Sequence, residues 1–260
     1  MNRVDKRKVA AAFSRQAHQY DAHAALQQAV VARLVSRIEA VAPSPRSALD
    51  VGAGNGSVID ALLARHPRLV GAGVDLAQGM VRAARRRSGP RHVVGDAEAL
   101  PFRGASFDVV ASASAYQWME DLRPAFREAR RVLAPGGWFA CALFGGETLR
   151  ELREAWRGAE CGEVKDRTHA FFSREQVASA LADAGFSRIE LAVERTVEHH
   201  EDLPSLLRAL KRIGAGNAAP HAEGGLAARR RLLRAAESYE RLREPRGLPA
   251  TWDVVFASAR

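Results

Sequence analysis

The chain has 260 residues, 47% of them hydrophobic, enough for one large domain with a full core. Lysine and arginine number 39 against 30 acidic residues, and the resulting net charge of +9 favours acidic partners such as a carrier protein or a nucleic acid, though a GC-rich genome that favours arginine accounts for it equally well. Two cysteines exclude a disulfide framework, no apolar run reaches membrane-spanning length, and the cationic start MNRVDKRKVAAAF lacks the apolar core of a signal peptide, so a cytoplasmic protein is expected.

In chain order, residues 1–42 read as helical, with Leu26, Val30, Val31, Leu34, Val35, Ile38 and Val41 at helical spacing. APSPRS then forms a linker. A strand (ALDVG), a helix (SVIDALLARH), a strand (LVGAGVD), a helix (AQGMVRAARRR) and a strand (RHVVGD) follow. SFDVVASASAYQW holds a fourth strand. LRPAFREARRVL is a helix stopped by APGG, and WFACALFG is a fifth strand. SREQVASALADAG carries a capping box, Ser173 and Gln176, with Gly185 at its end. RIELAVERTVEHH alternates as a strand. DLPSLLRALKRIG and RRRLLRAAESYERLR are helices joined by GAGNAAPHAEGGLAA, read as a flexible connection, and TWDVVFASAR closes the chain as a strand. This order predicts an α/β fold with a doubly wound, mostly parallel sheet, whose ligands bind beyond the carboxyl ends of the strands.

DVGAGNG lies at such an end. Its glycines, Gly52, Gly54 and Gly56, are spaced G-x-G-x-G rather than the G-x-G-x-x-G of dinucleotide sites, and they let a ligand approach the backbone closely. Asp50, two residues earlier, repels phosphate and suits a ligand bearing an ammonium group. Asp75 ends the second strand, where a carboxylate accepts from ribose hydroxyls. Asp96 ends the third, where a carboxylate accepts from an adenine amino group while Ala97 offers a backbone N–H. Each aspartate taken singly has the weaker alternative of a helix cap; three acidic strand ends in register are hard to explain as caps alone.

LDVGAGNG, GVDLAQGM, GDAEALPF, FDVVASASAYQW and RVLAPGG resemble the successive motifs of class I S-adenosylmethionine-dependent methyltransferases over about residues 46–145. The resemblance implies a Rossmann-like seven-stranded sheet whose last strand is antiparallel. It also implies that S-adenosylmethionine lies with its methionine moiety against Gly52, Ala53 and Gly54 and its ribose on Asp75. Leu76 and Met80 then stand near the adenine, Asp96 and Ala97 on its edge, and Ser112 completes the set.

The flanks RKVAAAFSRQAHQYDAHAALQQAVVARLV, SAYQW, GGETLRELREAW, LLRALKRIGAGN and LPATWDVVFASAR resemble the malonyl-acyl-carrier-protein O-methyltransferases of biotin synthesis nearly end to end. This divides the chain into a helical cap (1–45), a methyltransferase core (46–201 and 247–260) and a helical lid (202–246). It implies methyl transfer to the free carboxylate of a malonyl thioester, borne by acyl carrier protein or coenzyme A. Such a carboxylate is ionised at neutral pH, so neither a general base nor a metal is expected. Other small-molecule methyltransferases, acting on a quinone precursor or an organic acid, share some of these stretches. An RNA methyltransferase accounts for the charge, but the arginine-rich segment has few aromatics besides Tyr239.

The segment from Leu203 to Arg246 carries ten basic residues against four glutamates. Arg208, Lys211 and Arg212 share one helical face, on which one cation would pair the acceptor carboxylate and others dock an acidic carrier, unless that face is merely solvated; the family-like LKRIGA makes Lys211 the first choice for the pocket, with Arg150 second. Tyr20, Gln117 and Trp118 are the expected acceptor-facing residues, with Phe13, Phe171 and Phe172 behind them.

Overall fold

The computed structural model describes residues 5–18, 20, 25–88, 91–159, 171–212 and 226–260. Nine helices and seven strands are described. The helices are α1 (Lys6–Gln16), α2 (Ala25–Val41), α3 (Ser57–Arg65), α4 (Gln78–Ser88), α5 (Leu122–Val132), α6 (Arg150–Ala159), α7 (Arg174–Asp183), α8 (Leu203–Arg212) and α9 (Leu226–Glu240). The strands are β1 (Ser47–Val51), β2 (Val70–Asp75), β3 (His92–Val94), β4 (Phe107–Ala113), β5 (Leu133–Phe144), β6 (Ile189–His200) and β7 (Leu248–Ala259). They form one sheet in the order β3-β2-β1-β4-β5-β7-β6. β7 runs antiparallel to both neighbours and the other strands are parallel, as the family resemblance implies.

Burial on both faces explains the near-continuous apolar runs of the central strands. One core packs Val30, Leu34 and Ile38 of α2, Ile59 and Leu62 of α3, Trp156 of α6 and Leu206 and Leu210 of α8 against the sheet. The other packs α5 and α7 around Tyr116, Phe126, Phe139 and Phe186. α5 is held at its start by Asp121, whose carboxylate accepts from Arg123 N at 2.9 Å. Ser173 and Gln176 form the expected capping box on α7, and Gly185 has the left-handed φ of 88° that ends it.

Three features differ from the sequence reading. The N-terminal region is not one continuous helix, since α1 ends at Gln16 in a turn, and α1 buries no residue fully. β5 begins at Leu133 rather than Trp138: Leu133 pairs with Phe107 and Trp138 with Val109, so Ala134–Gly137 bulge from the ladder. α6 was not anticipated; Leu152, Ala155 and Trp156 bury its inner face, and it packs against α9. The connection over 213–225 and Cys161 lie outside the described residues. No described helix is long and apolar enough to cross a membrane.

Candidate active site

β1 delivers its chain to the sheet's carboxyl edge, where the turn is pinned to β2: Gly52 N and Ala53 N donate to Val74 O at 2.8 and 3.0 Å. Gly52 and Gly54 have φ of 71° and 55°, in the left-handed region. Asp75 ties the two strand ends together, its Oδ2 accepting from Gly54 N at 2.8 Å and its Oδ1 from Ala77 N at 2.7 Å. A Cβ on Gly54 meets no protein atom within 4 Å, so this backbone faces open space.

A cavity of about 110 Å³ lies over this edge. Gly52, Gly54, Asp75, Leu76, Met80, Asp96 and Ala97 all line it. α1 roofs it with Lys6, Val9 and Phe13. Lys6 Nζ donates to both Asp96 oxygens, at 2.9 and 2.8 Å, and lies 2.9 Å from Glu98 Oε2. Burial lowers the Lys6 pKa, but hydrogen bonds and charges from Asp96 and Glu98 outweigh it and the net shift is upward. Gly79 N donates to Ser14 Oγ at 3.1 Å, and a Cβ on Gly79 would come within 2.5 Å of Ser14 O, so α1 sits directly on α4.

Asp50 and Ala53 line an adjoining small cavity together with Gln27 and Asn55. Asp50 is 1% exposed, and neither carboxylate oxygen has a hydrogen-bond partner among the described residues. Burial, reinforced by the charge of Asp75, holds its pKa well above the carboxylate range. An orphaned buried carboxylate facing a cavity is chemically matched to an incoming cation.

A third chamber opens where α2, the Tyr116–Trp118 turn, α8 and β7 meet. Phe13, Phe144, Phe171 and Trp252 form much of its wall, with Tyr20, Gln27, Gln117 and Trp118 among them. The Phe13 and Trp118 rings meet edge-on at 5.8 Å. Gln117 Nε2 donates to Ser114 O at 2.6 Å, which fixes the turn. Tyr20 and Ser114 line all three cavities and so stand at their junction.

Five expected residues are placed elsewhere. Ser112 is wholly buried and lines none of these cavities. Strand alternation directs it to the opposite face from Ala113, which lines two of the cavities, while Ser114, past the strand end at a φ of 56°, reaches all three. Lys211 and Arg208 are exposed, because burial of Leu203, Leu206 and Leu210 turns the basic face of α8 outward. Leu210, not Lys211, reaches the chamber. Arg150 is exposed and paired with Glu147 at 3.8 Å and Glu151 at 3.2 Å. Phe172 forms an isolated bridge with Gly145 and is not among the chamber's lining residues.

Lys6 and Gln27 were not anticipated. Lys6 left no local signal. Gln27 left one: an amide in helical phase with Val30, Leu34 and Ile38.

Residues 49–141 match the model of the methyltransferase domain family. The chain is 46% identical to the malonyl-[acyl-carrier protein] O-methyltransferase of Geobacter sulfurreducens over 97% of this chain and 98% of that one. It is 40% identical to the enzyme of that name from Halorhodospira halophila, over 98% and 88%. A SAM-dependent methyltransferase from Thermotoga maritima shares the fold, with a TM-score of 0.58 at 21% identity over 96% of this chain and 98% of that one. The chain belongs to the malonyl-[acyl-carrier protein] O-methyltransferase family of S-adenosylmethionine-dependent enzymes.

Proposed function

We propose that this protein transfers a methyl group from S-adenosylmethionine to the free carboxylate of a malonyl group carried by acyl carrier protein, forming the methyl ester that begins pimeloyl synthesis for biotin. The observation that carries the reading is the junction at Tyr20 and Ser114 between an acid-lined cavity and an aromatic chamber. It allows a donor and an acceptor to meet in line.

Asp50 takes the ammonium of the donor, and its orphaned oxygens supply the acceptors. Asp75 keeps lone pairs for the ribose hydroxyls beyond the two backbone N–H groups it already serves. Gly52, Ala53 and Gly54 let the methionine moiety lie against backbone. Leu76 and Met80 flank the adenine, Asp96 and Ala97 meet its edge, and Lys6 holds the Asp96 carboxylate in place. The bound donor supplies an electrophilic methyl group. Tyr20, Gln117 and Trp118 position the acceptor and exclude water from a weak nucleophile. No proton is removed, because a malonyl carboxylate is already ionised.

The core of residues 46–201 and 247–260 carries the donor site, 1–45 forms its cap, and 202–246 closes over the acceptor as a lid. Arg208 and Lys211 face outward to receive an acidic carrier. Incubation of purified protein with S-adenosylmethionine and malonyl-acyl carrier protein should yield the methyl ester by mass spectrometry. A preparation that binds the donor, leaves this substrate unchanged and methylates a different acceptor overturns the reading; malonyl-coenzyme A serves as the carrier-free comparison.

A further inference from the structure

Gln27 stands on α2 at a position whose helical phase calls for an apolar residue, and it is 8% exposed. Its side chain lines both the small cavity that holds Asp50 and the aromatic chamber. Gln27 therefore lies at the seam where reacting groups would meet. Gln117 and Tyr20 bring a second amide and a phenol to the same chamber, whose remaining wall is largely Phe13, Phe144, Phe171 and Trp252. Among the described residues no lysine or arginine lines it.

We propose that the Gln27 amide orients the acceptor carboxylate and that the positive charge of the methyl donor is the counter-ion that holds it. The inference rests on the carboxyl-methylation reading. A carboxylate entering this chamber loses water, and neutral amide and phenol donors offset only part of that cost. An opposite charge at contact distance in a water-poor site offsets far more.

The reaction itself favours this arrangement. A carboxylate oxygen forms a C–O bond to the methyl carbon while the carbon–sulfur bond breaks with its electron pair left on sulfur. A neutral ester and a neutral thioether result, and no proton moves. A lysine or arginine on the carboxylate would stabilise the anionic ground state more than the charge-depleted transition state and so raise the barrier. A neutral amide gives orientation with less of that penalty. Acceptor affinity must then depend on the charge of the molecule in the donor cavity.

The test is calorimetric titration of the full chain with malonyl-pantetheine thioester. The protein is saturated first with sinefungin, in which a carbon replaces the sulfur and an ammonium replaces the transferred methyl group so that the positive charge is kept, and then with S-adenosylhomocysteine, which is neutral there. The expected result is acceptor binding at least about tenfold tighter in the sinefungin complex. With sinefungin held at saturation, Gln27→Leu should weaken acceptor binding in that complex about tenfold. Equal acceptor affinity in the two wild-type complexes overturns the proposal, as does unchanged acceptor affinity in Gln27→Leu. If wild-type protein methylates malonyl-acyl carrier protein yet shows equal affinities, this inference alone fails; if it methylates no malonyl thioester, the underlying reading fails with it.

Discussion

Lys6 and Asp96, ninety positions apart, meet through both carboxylate oxygens at 2.9 and 2.8 Å, so that the first helix is latched to the loop after β3. Glu98 doubles the latch at 2.9 Å. α1 has no fully buried residue, and its hold on the core comes from this pair, the Ser14–Gly79 contact and half-buried side chains over the cavity. The pair is about a third exposed, which limits its worth to roughly 1 kcal/mol. Lys6→Met should therefore weaken S-adenosylhomocysteine binding by no more than about fivefold and leave the melting temperature nearly unchanged. Hydrogen exchange should quicken selectively in α1. A large fall in melting temperature, with α1 still protected, would show that Lys6 supports the core instead.

Asp50 gives a prediction with a pH sign. Its folded pKa is raised by burial and then by Asp75, so the carboxyl takes up a proton on folding. The cost of keeping it ionised is absent below its unfolded pKa of about 3.9 and grows as pH rises from there towards the folded value. Donor-free Asp50→Asn should thus melt above the parent at pH 7, and the difference should vanish near pH 4. The same substitution should weaken donor binding by about tenfold or more, since a charge-assisted hydrogen bond is lost. In the parent, an arriving ammonium favours the ionised carboxylate, so binding releases a proton and strengthens with pH below the folded pKa. Titration in two buffers of different ionisation heat reads that proton directly; identical heats would mean Asp50 is ionised before the donor arrives.

The two leading glycines separate folding from binding. A Cβ on Gly52 would stand 2.1 Å from Ala115 Cβ at a φ of 71°, so Gly52→Ala should destabilise the whole domain. Gly54 has a φ of 55° but its Cβ would meet no protein atom. Gly54→Ala should cost only the left-handed strain of about 1–2 kcal/mol, while the added methyl group occupies cavity space. Melting curves should therefore rank Gly52→Ala well below Gly54→Ala, and donor titration should find Gly54→Ala folded but impaired.

The parts of this site written locally were legible in the sequence. The glycine turn, Asp50, Asp75 and Asp96 each sit at the carboxyl end of a strand, and the parallel register brings those ends side by side. Lys6 was not legible, because nothing near it in the chain marks a partner ninety residues on. Gln27 was half-legible as an amide in an apolar helical phase. The choice of Lys211 went astray by one residue: neighbours on a helix point about 100° apart, so the step from Leu210 to Lys211 moves from the chamber to solvent. Ser112 failed by the corresponding strand rule, in which one position reverses the face. α6 carries a readable stripe in Leu152, Ala155 and Trp156, but the sequence reading took the segment only as the family-like flank GGETLRELREAW.

The outward basic face of α8 bears on the carrier rather than on chemistry. Among the described residues, Arg208 and Lys211 line none of the three cavities, and Arg208 pairs with Asp202 at a loose 3.9 Å. Exposed charges of this kind act mainly on encounter with an acidic partner, through a field that salt screens over about 10 Å at 0.1 M. Arg208→Glu combined with Lys211→Glu should lower kcat/KM for malonyl-acyl carrier protein about tenfold at low ionic strength, with the deficit shrinking as salt is added. Turnover of malonyl-pantetheine thioester, which has no acidic protein attached, should stay at the parent's level. An equal loss on both substrates at every ionic strength would instead place these two side chains within reach of the reacting carboxylate.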